Sequence, residues 1–313
     1  MLPRVALCLP SEPRPAAVRL GSITVVPPRE ELATAEYLEL VTRLLRRCRL
    51  AHPTDGLWEA ADLQWWWRHP RSSDGCGQLF WLDERGEPAA AVVLTDWGRA
   101  WSCDVIVAPD APEPAFTRVW QQALDRIAEL GLATVEISAR DDDTTLRATL
   151  AACGFAPADD AGTTTWLEAA RRPPIAPLPS GYRLLSRAET EDRPHHMIRR
   201  NGERVAERLA ECSIYDPGLD LLVRAPDGEA AAYVLFWPDP VTRVGLVEPV
   251  RTEIAHQRRG LARHLVTVGL DRLAECGCTR LKVGFDNANP AARELYLGLG
   301  FTPESTTRTY RRG

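Results

Sequence analysis

One eight-residue pattern occurs twice in the sequence, as LDRIAELG at 124–131 and as LDRLAECG at 270–277. The same separation of 146 residues, from 124 to 270, also aligns the Gly-Phe pair at 154–155 with the pair at 300–301. A spacing that is kept across several predicted elements indicates an internal repeat. Because 313 residues suffice for two domains of about 150 residues each, the chain is predicted to contain two copies of one αβ unit.

The two copies are separated by a proline-rich stretch. Residues 168–180, EAARRPPIAPLPS, show no hydrophobic periodicity and are typical of a linker. We therefore predict a first domain over residues 1–170, a linker over 171–180 and a second domain over 181–313.

The order of elements is clearest in the second half. Two apolar runs around a Pro-Asp-Gly turn predict a β-hairpin over 219–237, and residues 244–252 predict another strand. Pro249 within that strand indicates a bulge or an unpaired backbone position. Leucines at helical spacing predict a helix from Leu261 to Cys276, after which residues 279–285 alternate as a strand.

Charge and composition argue against several classes of function. A net charge of -5 disfavours general nucleic-acid binding, which needs a broad basic surface. No apolar run reaches the roughly 20 residues of a membrane helix, and the amino-terminal MLPRVALCLP is unlike a signal peptide. The eight cysteines form no CxxC pair and have no histidine cluster beside them, so no metal site is predicted. Free thiols favour a reducing, cytoplasmic location.

The stretch HQRRGLARHL, residues 256–265, places basic side chains and a glycine at the start of a predicted helix. The first four backbone N–H groups of a helix have no intrahelical partner, and the helix dipole is positive there. Each well-placed arginine adds a charge-assisted hydrogen bond worth about 1.5–3 kcal/mol. The stretch therefore suits a phosphate or pyrophosphate. It lacks the P-loop lysine and the three glycines of a dinucleotide fingerprint, and a solvated basic helix start is the alternative.

Two motifs in this region resemble those of the GNAT superfamily of acyl-CoA-dependent N-acetyltransferases. The first is the Q/R-x-x-G-x-G/A loop that opens a long helix, met here by Gln257 to Ala262. The second is N-x-x-A-x-x-L-Y-x-x-x-G-F, met by residues 289–301. The resemblance is strong over 244–303. It implies an α/β (α+β) fold of two tandem GNAT-like domains, each a mixed, mostly antiparallel sheet flanked by helices.

The resemblance also implies acetyl-CoA as cosubstrate and assigns residues to it. Backbone groups of the turn would bind the pyrophosphate, at Gln257, Arg258, Arg259, Gly260, Leu261, Ala262 and Arg263. Main-chain groups of Val250, Arg251 and Thr252 would pair with the pantetheine arm, Asn289 would hold its far end, and Tyr296 would lie near the thioester sulfur. Thr252 and Ile254 replace the valine and proline often found in the family, but both contacts use backbone. Alternatively, Tyr296 is a core residue and Asn289 a helix cap.

Acetyl transfer to an amine needs a proton acceptor and a proton donor. A lysine-like amine with a pKa of about 10.4 is almost entirely protonated at pH 7, and a phenol can return a proton to the departing thiolate. Tyr296 is the predicted acid. Glu248 is the predicted base, because strand alternation places it on one face with Val250 and Thr252; a charged residue at a strand end is the alternative. Weaker candidates for the base are Asp216, Asp220, the pair His195-His196 and Asp286.

At the same 146-residue offset, the first half lacks each ligand-binding feature. Gln257 to Ala262 align with Ala111-Pro112-Glu113-Pro114-Ala115-Phe116. Prolines remove N–H donors, and Glu113 would repel an anion. Asp143 replaces the motif asparagine, and Leu150 replaces the tyrosine. The first half is therefore predicted to be a degenerate copy that does not hold the cofactor in the manner of the family.

Three consecutive tryptophans, Trp65-Trp66-Trp67, are the most unusual feature of the first half. They cannot all lie on one side of a helix, so at least one is predicted to contact another surface. Core and interdomain packing is one interpretation, and an aromatic wall for the acceptor is the other. In the GNAT family a neighbouring subunit or domain often supplies one wall of the acceptor pocket, so a monomer as well as a homodimer is compatible with the sequence.

The function implied by the resemblance is acetyl transfer from acetyl-CoA to an amine of a small molecule or a protein, with no nucleic-acid or membrane partner. A narrower alternative is a mycothiol synthase-like small-molecule acetyltransferase, because that family is also a tandem GNAT of similar length. A non-catalytic acyl-CoA-binding sensor or pseudoenzyme is the alternative from a different class.

Overall fold

The computed structural model describes residues 28–111 and 116–313. The predictions for the amino-terminal MLPRVALCLP, and for four of the six residues aligned with the basic helix start, 112–115, lie outside the described residues.

The described part of the first half contains, in chain order, β1 (Arg29–Glu31), α1 (Ala35–Ala51), α2 (Ala60–Trp66), β2 (Gln78–Leu82), β3 (Pro88–Asp96), β4 (Trp101–Val107), α3 (Phe116–Glu129), β5 (Val135–Arg140), α4 (Thr144–Ala152) and β6 (Ala156–Glu168).

The second half contains β7 (Arg183–Ser186), α5 (Ile198–Asn201), α6 (Val205–Ala210), β8 (Asp220–Arg224), β9 (Ala230–Pro238), β10 (Val244–Thr252), α7 (Leu261–Glu275), β11 (Arg280–Asp286), α8 (Pro290–Leu297) and β12 (Thr302–Arg312). The series α3, β5, α4 and β6 recurs as α7, β11, α8 and β12. The repeat and the second-half elements predicted from the sequence are therefore confirmed.

The twelve strands of the described residues form one sheet in the order β1-β2-β3-β4-β5-β12-β6-β11-β10-β9-β8-β7. Neighbouring strands are antiparallel except in the pairs β4–β5 and β10–β11. The last strand of each half is exchanged, because β12 pairs with β5 and β6 pairs with β11, while β6 and β12 also pair with each other. The mixed, mostly antiparallel sheet is as predicted, but each half completes the sheet of the other. The predicted sequence boundaries of the domains stay a prediction.

Each half has its own core on one face of the sheet. Helix α3 buries Val119, Ala123 and Ile127, which recur at helical spacing, against the first-half strands. Helix α7 buries Leu261 and Leu265 among a larger set against the second-half strands. The amphipathic pattern of each helix therefore fixes which face meets the sheet.

A third core lies between the halves and joins them. Leu44 of α1 and Leu63 of α2 are fully buried in one cluster with Met197, Leu209 and Trp237 of the second half. Each such side chain contributes about 1.5–3 kcal/mol on burial. The two halves therefore share a hydrophobic seam as well as their exchanged strands.

The three consecutive tryptophans divide between the seam and the first half. The ring of Trp65 lies 6.4 Å from that of Trp237, and the indole N–H of Trp67 donates to Glu211, so both reach the second half. Trp66 packs edge-to-face against two other tryptophans of the first half. The prediction that at least one tryptophan meets another surface is confirmed, and the interdomain interpretation holds for two of them.

The proline-rich segment between the halves is ordered along α7. Residues 172–179 carry no helix or strand. The Ala176 amide donates to Thr267 Oγ1 over 3.0 Å, its carbonyl lies 2.6 Å from His264 Nδ1, and Arg172 pairs with Asp271. The absence of regular structure agrees with a linker, but side chains of α7 hold this segment in one place.

The predictions about cysteines and membrane helices can be compared with the described residues. All seven cysteines there are free thiols. No helix in residues 28–111 and 116–313 combines the length and the apolar character that a bilayer crossing requires.

Candidate active site

Strands β10 and β11 pair only briefly and then separate. Their parallel register begins at Val244 opposite Arg280 and ends at Leu246 opposite Lys282. Past this point β10 stays on β9 and β11 stays on β6, so a gap opens between them. The gap opens toward the amino-terminal end of α7, because β10 runs directly into the turn that precedes this helix.

One edge of β10 lines this gap. A register shift between Val247 and Val250 interrupts the pairing with β9, and the ladder resumes from Val250 to Thr252. This is the irregularity expected at Pro249, which has no N–H to donate. On the opposite edge, no strand of the described residues pairs with β10 from Val250 to Thr252. Backbone groups there are available to an extended ligand that adds as a strand.

The turn before α7 presents backbone N–H groups at the mouth of the gap. Arg258 and Gly260 have φ values of 61° and 81°, and Gly260 is the residue that caps α7. A Cβ on Gly260 would meet no atom within 4 Å, so its left-handed conformation, not crowding, favours glycine. Within the described residues, no acceptor takes the N–H groups from Arg258 to Gly260, and those of the first turn of α7 have no intrahelical partner.

Positive charge surrounds this turn. Arg258, Arg259 and Arg263 are exposed, and none forms an ion pair within residues 28–111 and 116–313. Arg263 donates to the Gly298 carbonyl over 3.3 Å, which holds its guanidinium near the turn. Leu261 beside them is buried and anchors the helix start in the core. Three guanidinium groups and a helix start therefore meet at one place, which favours an anion.

Two further residues of the turn have supporting contacts. The Gln257 side chain is exposed and donates to the Thr252 carbonyl over 3.4 Å, which ties the turn back to the end of β10. Ala262 and Arg251 are partly buried, and Arg251 approaches Glu253 at 3.7 Å. The structure thus brings the predicted pantetheine and pyrophosphate segments together, although their roles toward a ligand stay predictions.

Tyr296 lies in the core beside the gap. Its buried ring packs 6.3 Å from Phe285 and 6.2 Å from Phe301, measured between ring centroids. Burial and, more weakly, the Glu248 carboxylate raise the pKa of Tyr296 above its usual range. The phenol is therefore protonated at neutral pH, as a proton donor requires, and core packing is compatible with that role.

Asn289 caps α8, as one of the two interpretations predicts. Its Oδ1 accepts a hydrogen bond from the Ala292 amide over 3.1 Å, and the residue is exposed. Asp143 caps α4 in the same way, by accepting from the Leu146 amide over 2.8 Å. The cap is therefore common to both halves, and a contact of Asn289 with the cofactor stays a prediction.

Glu248 lies two residues beyond the last parallel pair and is partly buried. Burial, followed by the charge and hydrogen bond of Asp62, raises the pKa of Glu248 to about 8, while Arg68 and Lys282 oppose that rise. Asp62 and Arg68 belong to the first half. The predicted base therefore has a first-half carboxyl group as its nearest acidic partner.

A buried network of charged side chains, not predicted from the sequence, lies beside Glu248 and Asp62. Lys282 Nζ donates to Glu59 Oε1 over 3.0 Å and to the Leu57 carbonyl over 2.8 Å, and Arg49 pairs with Glu59. Burial would raise the pKa of Glu59, but Lys282 and Arg49 hold it below its usual value. The one sequence signal was that Lys282 is the only lysine in the chain. No sequence pattern indicates Glu59 or Asp62, because these residues meet Lys282 and Glu248 only through tertiary contacts.

The histidine pair forms a separate buried cluster. His195 and His196 stack with centroids 4.6 Å apart, their Nε2 atoms lie 3.0 and 3.1 Å from Asp220, and Tyr215 donates to the same carboxylate. In the part of the chain that the structure describes, this is the one group whose donor atoms converge closely enough, within 4.8 Å, for a metal ion. Burial would raise the pKa of Asp220, but the two histidines hold it well below its usual range. The carboxylate thus already has three partners.

The remaining candidates for the base are turn residues. Asp216 Oδ1 accepts from the Gly218 amide over 2.7 Å, and Asp286 Oδ1 accepts from the Ala288 amide over 2.8 Å. Each carboxylate stabilises its own turn, so Glu248 remains the candidate with a perturbed pKa next to the gap.

A family comparison agrees with this geometry. The acetyltransferase (GNAT) family model matches residues 178–301, the segment that contains the gap, the open turn and Tyr296. The match covers most of the second half, which is therefore similar to GNAT-family acetyltransferase domains.

Solved structures extend the GNAT fold to both halves. The tandem GNAT protein from the clavulanic acid biosynthesis pathway superimposes with a TM-score of 0.64 over 90% of this chain and 97% of its own, at 16% identity. The GCN5-related N-acetyltransferase from Sphaerobacter thermophilus gives a TM-score of 0.57 over 91% of this chain and 95% of its own, at 17% identity. At such identities the likeness shows the fold, here a tandem GNAT.

Two curated relatives share part of their sequence with this chain. A mycothiol acetyltransferase of Beutenbergia cavernae is 31% identical over 150 residues, 43% of this chain and 50% of the relative. A mycothiol acetyltransferase of Kineococcus radiotolerans is 36% identical over 106 residues, 34% of this chain and 33% of the relative. The chain thus matches half or less of the length of each.

The first GNAT-like copy also has a strand gap. Strands β4 and β5 pair only at Trp101–Ser102 with Val135–Glu136 and then separate around a cavity of about 490 Å³. Four aspartates, namely Asp55, Asp104, Asp142 and Asp143, line this cavity together with Arg49 and Arg140, and Arg140 pairs with Asp55 and Asp142. The indole N–H of Trp58 donates to Asp104 over 2.9 Å, and burial raises the pKa of Asp104 to about 6. The first copy therefore has the same strand gap, but its lining combines four carboxyl groups with two arginines.

Proposed function

We propose that this protein is an N-acetyltransferase that transfers the acetyl group of acetyl-CoA to an amine at the gap of the second half. One observation carries the proposal: the free edge of β10 leads directly into a turn of unpaired N–H groups surrounded by three arginines. An extended arm that ends in a pyrophosphate matches both features, because the arm pairs as a strand and the diphosphate meets the helix start.

The residues of the chain supply the remaining chemistry. The thioester would lie where β10 and β11 diverge, with Asn289 at the far end of the pantetheine arm. Glu248 would accept the proton of the incoming ammonium group, and the resulting neutral amine would attack the thioester carbonyl. The phenol of Tyr296 would give its proton to the departing thiolate. The C–N bond forms as the C–S bond breaks, and the proton that the amine loses on attack returns to the phenolate.

Calorimetric titration with acetyl-CoA, followed by thiol-release assays with a panel of primary amines, tests the proposal. We expect one acetyl-CoA site per chain and amine-dependent release of coenzyme A. Binding without turnover of any amine would favour the acyl-CoA sensor, the alternative from a different class. Absence of binding would reject both.

A narrower candidate for the acceptor is the unacetylated form of mycothiol. The curated relatives named mycothiol acetyltransferase favour it, although each matches over half or less of its length. Including this compound in the amine panel distinguishes it from other small-molecule or protein amines. Because the first half already covers one side of Glu248, we propose that a monomer suffices, in the reducing cytoplasm where acetyl-CoA is available.

A further inference from the structure

The seam between the halves brings two carboxyl groups together. Helix α2 of the first half packs against β10, and the carboxyl groups of Asp62 and Glu248 lie within hydrogen-bonding reach of each other. Asp62 is only 5% exposed, and its Oδ2 accepts from the Glu59 amide over 2.6 Å, which fixes the side chain at the start of α2.

Two adjacent carboxylates cannot share a hydrogen bond unless one of them carries a proton. Two negative charges within hydrogen-bonding reach of each other make the second ionisation costly. The proton therefore belongs to the pair and not to either residue alone. Five other ionisable side chains interact with the pair, namely Glu59, Lys282, Arg68, Asp104 and Tyr296. Lys282 already donates to Glu59, Arg68 stacks over the ring of Trp65, and Tyr296 is protonated. None of these groups replaces the shared proton.

We propose that Asp62 and Glu248 form one proton-accepting carboxyl pair, so that the first half contributes a functional residue to the acceptor site of the second half. The catalytic role of the pair rests on the proposed acetyl transfer. The shared proton does not depend on that function. The substrate class it implies is a protonated primary amine, because two carboxyl groups at the seam attract an ammonium group and repel an acid.

The proton transfers balance. In the doubly ionised pair, Glu248 takes one proton from the ammonium group and the pair returns to its singly protonated form. The neutral amine then attacks, and the thiolate receives its proton from Tyr296. For each acetyl group transferred, the pair releases one proton to water before the next cycle. In this scheme Asp62 is a positioning residue that acts through Glu248.

Infrared titration of the free protein tests the pair without any substrate. The protonated carboxyl C=O band is followed between pH 7 and pH 10, above the range in which Asp104 titrates. In the wild-type chain we expect one carboxyl proton to be released near pH 8. Asp62→Asn keeps an oxygen for the Glu59 amide but removes the like charge. Its titration should therefore move by about 1–3 pH units to lower pH, to the lower limit of this window or below it.

Two further variants keep the test decisive. Glu248→Gln breaks the pair from the other half and should abolish the titration. Asp239→Asn is the matched control, because Asp239 is a buried carboxylate that pairs with Arg46 of the first half at 3.0 Å without contacting Glu248. It should leave the titration unchanged. A wild-type titration that persists in Asp62→Asn would overturn the proposal, as would its loss in Asp239→Asn.

A kinetic measurement then connects the pair to catalysis. With the best amine acceptor, kcat/KM of the wild type should rise with pH to a plateau, and Asp62→Asn should move this rise at least about one pH unit lower. A purely structural Asp62 would lower kcat/KM without moving the profile, and that outcome would overturn the positioning role. If the wild type acetylates no amine, the proposed function fails, while the infrared result still decides whether the pair exists.

Discussion

The two halves open the same gap in the sheet, but different charged side chains lie around each gap. In both, a parallel strand pair separates after two or three residues. The second gap ends at a turn with three exposed arginines, Arg258, Arg259 and Arg263, whereas four aspartates and two arginines line the first. The brief parallel pairing that opens the gap is therefore common to both halves, whereas the charged side chains around it are not.

Each gap has a carboxyl group two residues beyond the last parallel pair of its strands. Asp104 lies two residues beyond Ser102, the last residue paired with β5, and Glu248 lies two residues beyond Leu246, the last paired with β11. Burial raises the pKa of both. Asp104 is held by Ser102 and an indole of its own half, whereas Glu248 meets Asp62 across the seam.

The largest effect is expected at the basic turn. Arg258→Glu/Arg259→Glu should weaken acetyl-CoA binding about 1,000-fold, because two charge-assisted contacts worth about 1.5–3 kcal/mol each become repulsive. Isothermal calorimetry measures the change. Arg85→Glu/Arg99→Glu reverses two exposed first-half arginines with the same change in net charge, and it should leave the affinity unaltered. Equal losses in both variants would mean that only overall charge matters.

The second-largest effect is expected on the free energy of unfolding, at the residues where the two strands of each gap begin to separate. Lys282→Met should lower the free energy of unfolding by about 3 kcal/mol, because Glu59 stays buried with one cation fewer. Glu136 is the residue aligned with Lys282 in the first half, and its ion pair with Arg311 is partly exposed. Glu136→Gln should therefore cost less than about 1 kcal/mol. Urea denaturation measures both, and similar costs would contradict the asymmetry.

Removing the phenol should affect turnover but not binding. Tyr296→Phe should lower kcat about 100-fold, the low end for a general acid, and leave the acetyl-CoA affinity unchanged. Tyr310→Phe is the control, because Tyr310 is also buried but its hydroxyl accepts from Arg147 of the first half. If Tyr296→Phe keeps its turnover, Tyr296 is a core residue only.

The smallest effect is a pH dependence of stability in the first gap. The pKa of Asp104 is about 6 in the folded protein and lower when unfolded, so between about pH 4 and pH 6 the folded chain binds more protons. This group therefore lowers stability as pH rises, by up to about 1.4 kcal/mol per pH unit. Asp104→Asn should remove that slope from the unfolding free energy measured from pH 4 to pH 6. An identical slope in the variant would show that Asp104 ionises normally.

Local sequence patterns predicted the helices and strands and the open turn before α7. Periodicity and turn residues placed α7, β10 and β11 within two residues of their observed bounds, because these signals are local. Gly260 and its flanking arginines likewise lie within one short segment, so the motif sufficed to predict the open turn before α7. The repeat likewise predicted two copies of one αβ unit, the first without the ligand-binding features of the second.

The strand exchange, the seam and the partner of Glu248 arise from contacts between segments that are distant in the chain. Residue spacing contains no information about which half a final strand joins, since β6 and β12 satisfy the same hydrogen bonds in either sheet. Asp62 and Glu248 are far apart in the chain, and neither carboxyl group is unusual in its own segment. Their pairing arises from the packing of α2 onto β10, a contact between distant segments that no local pattern records.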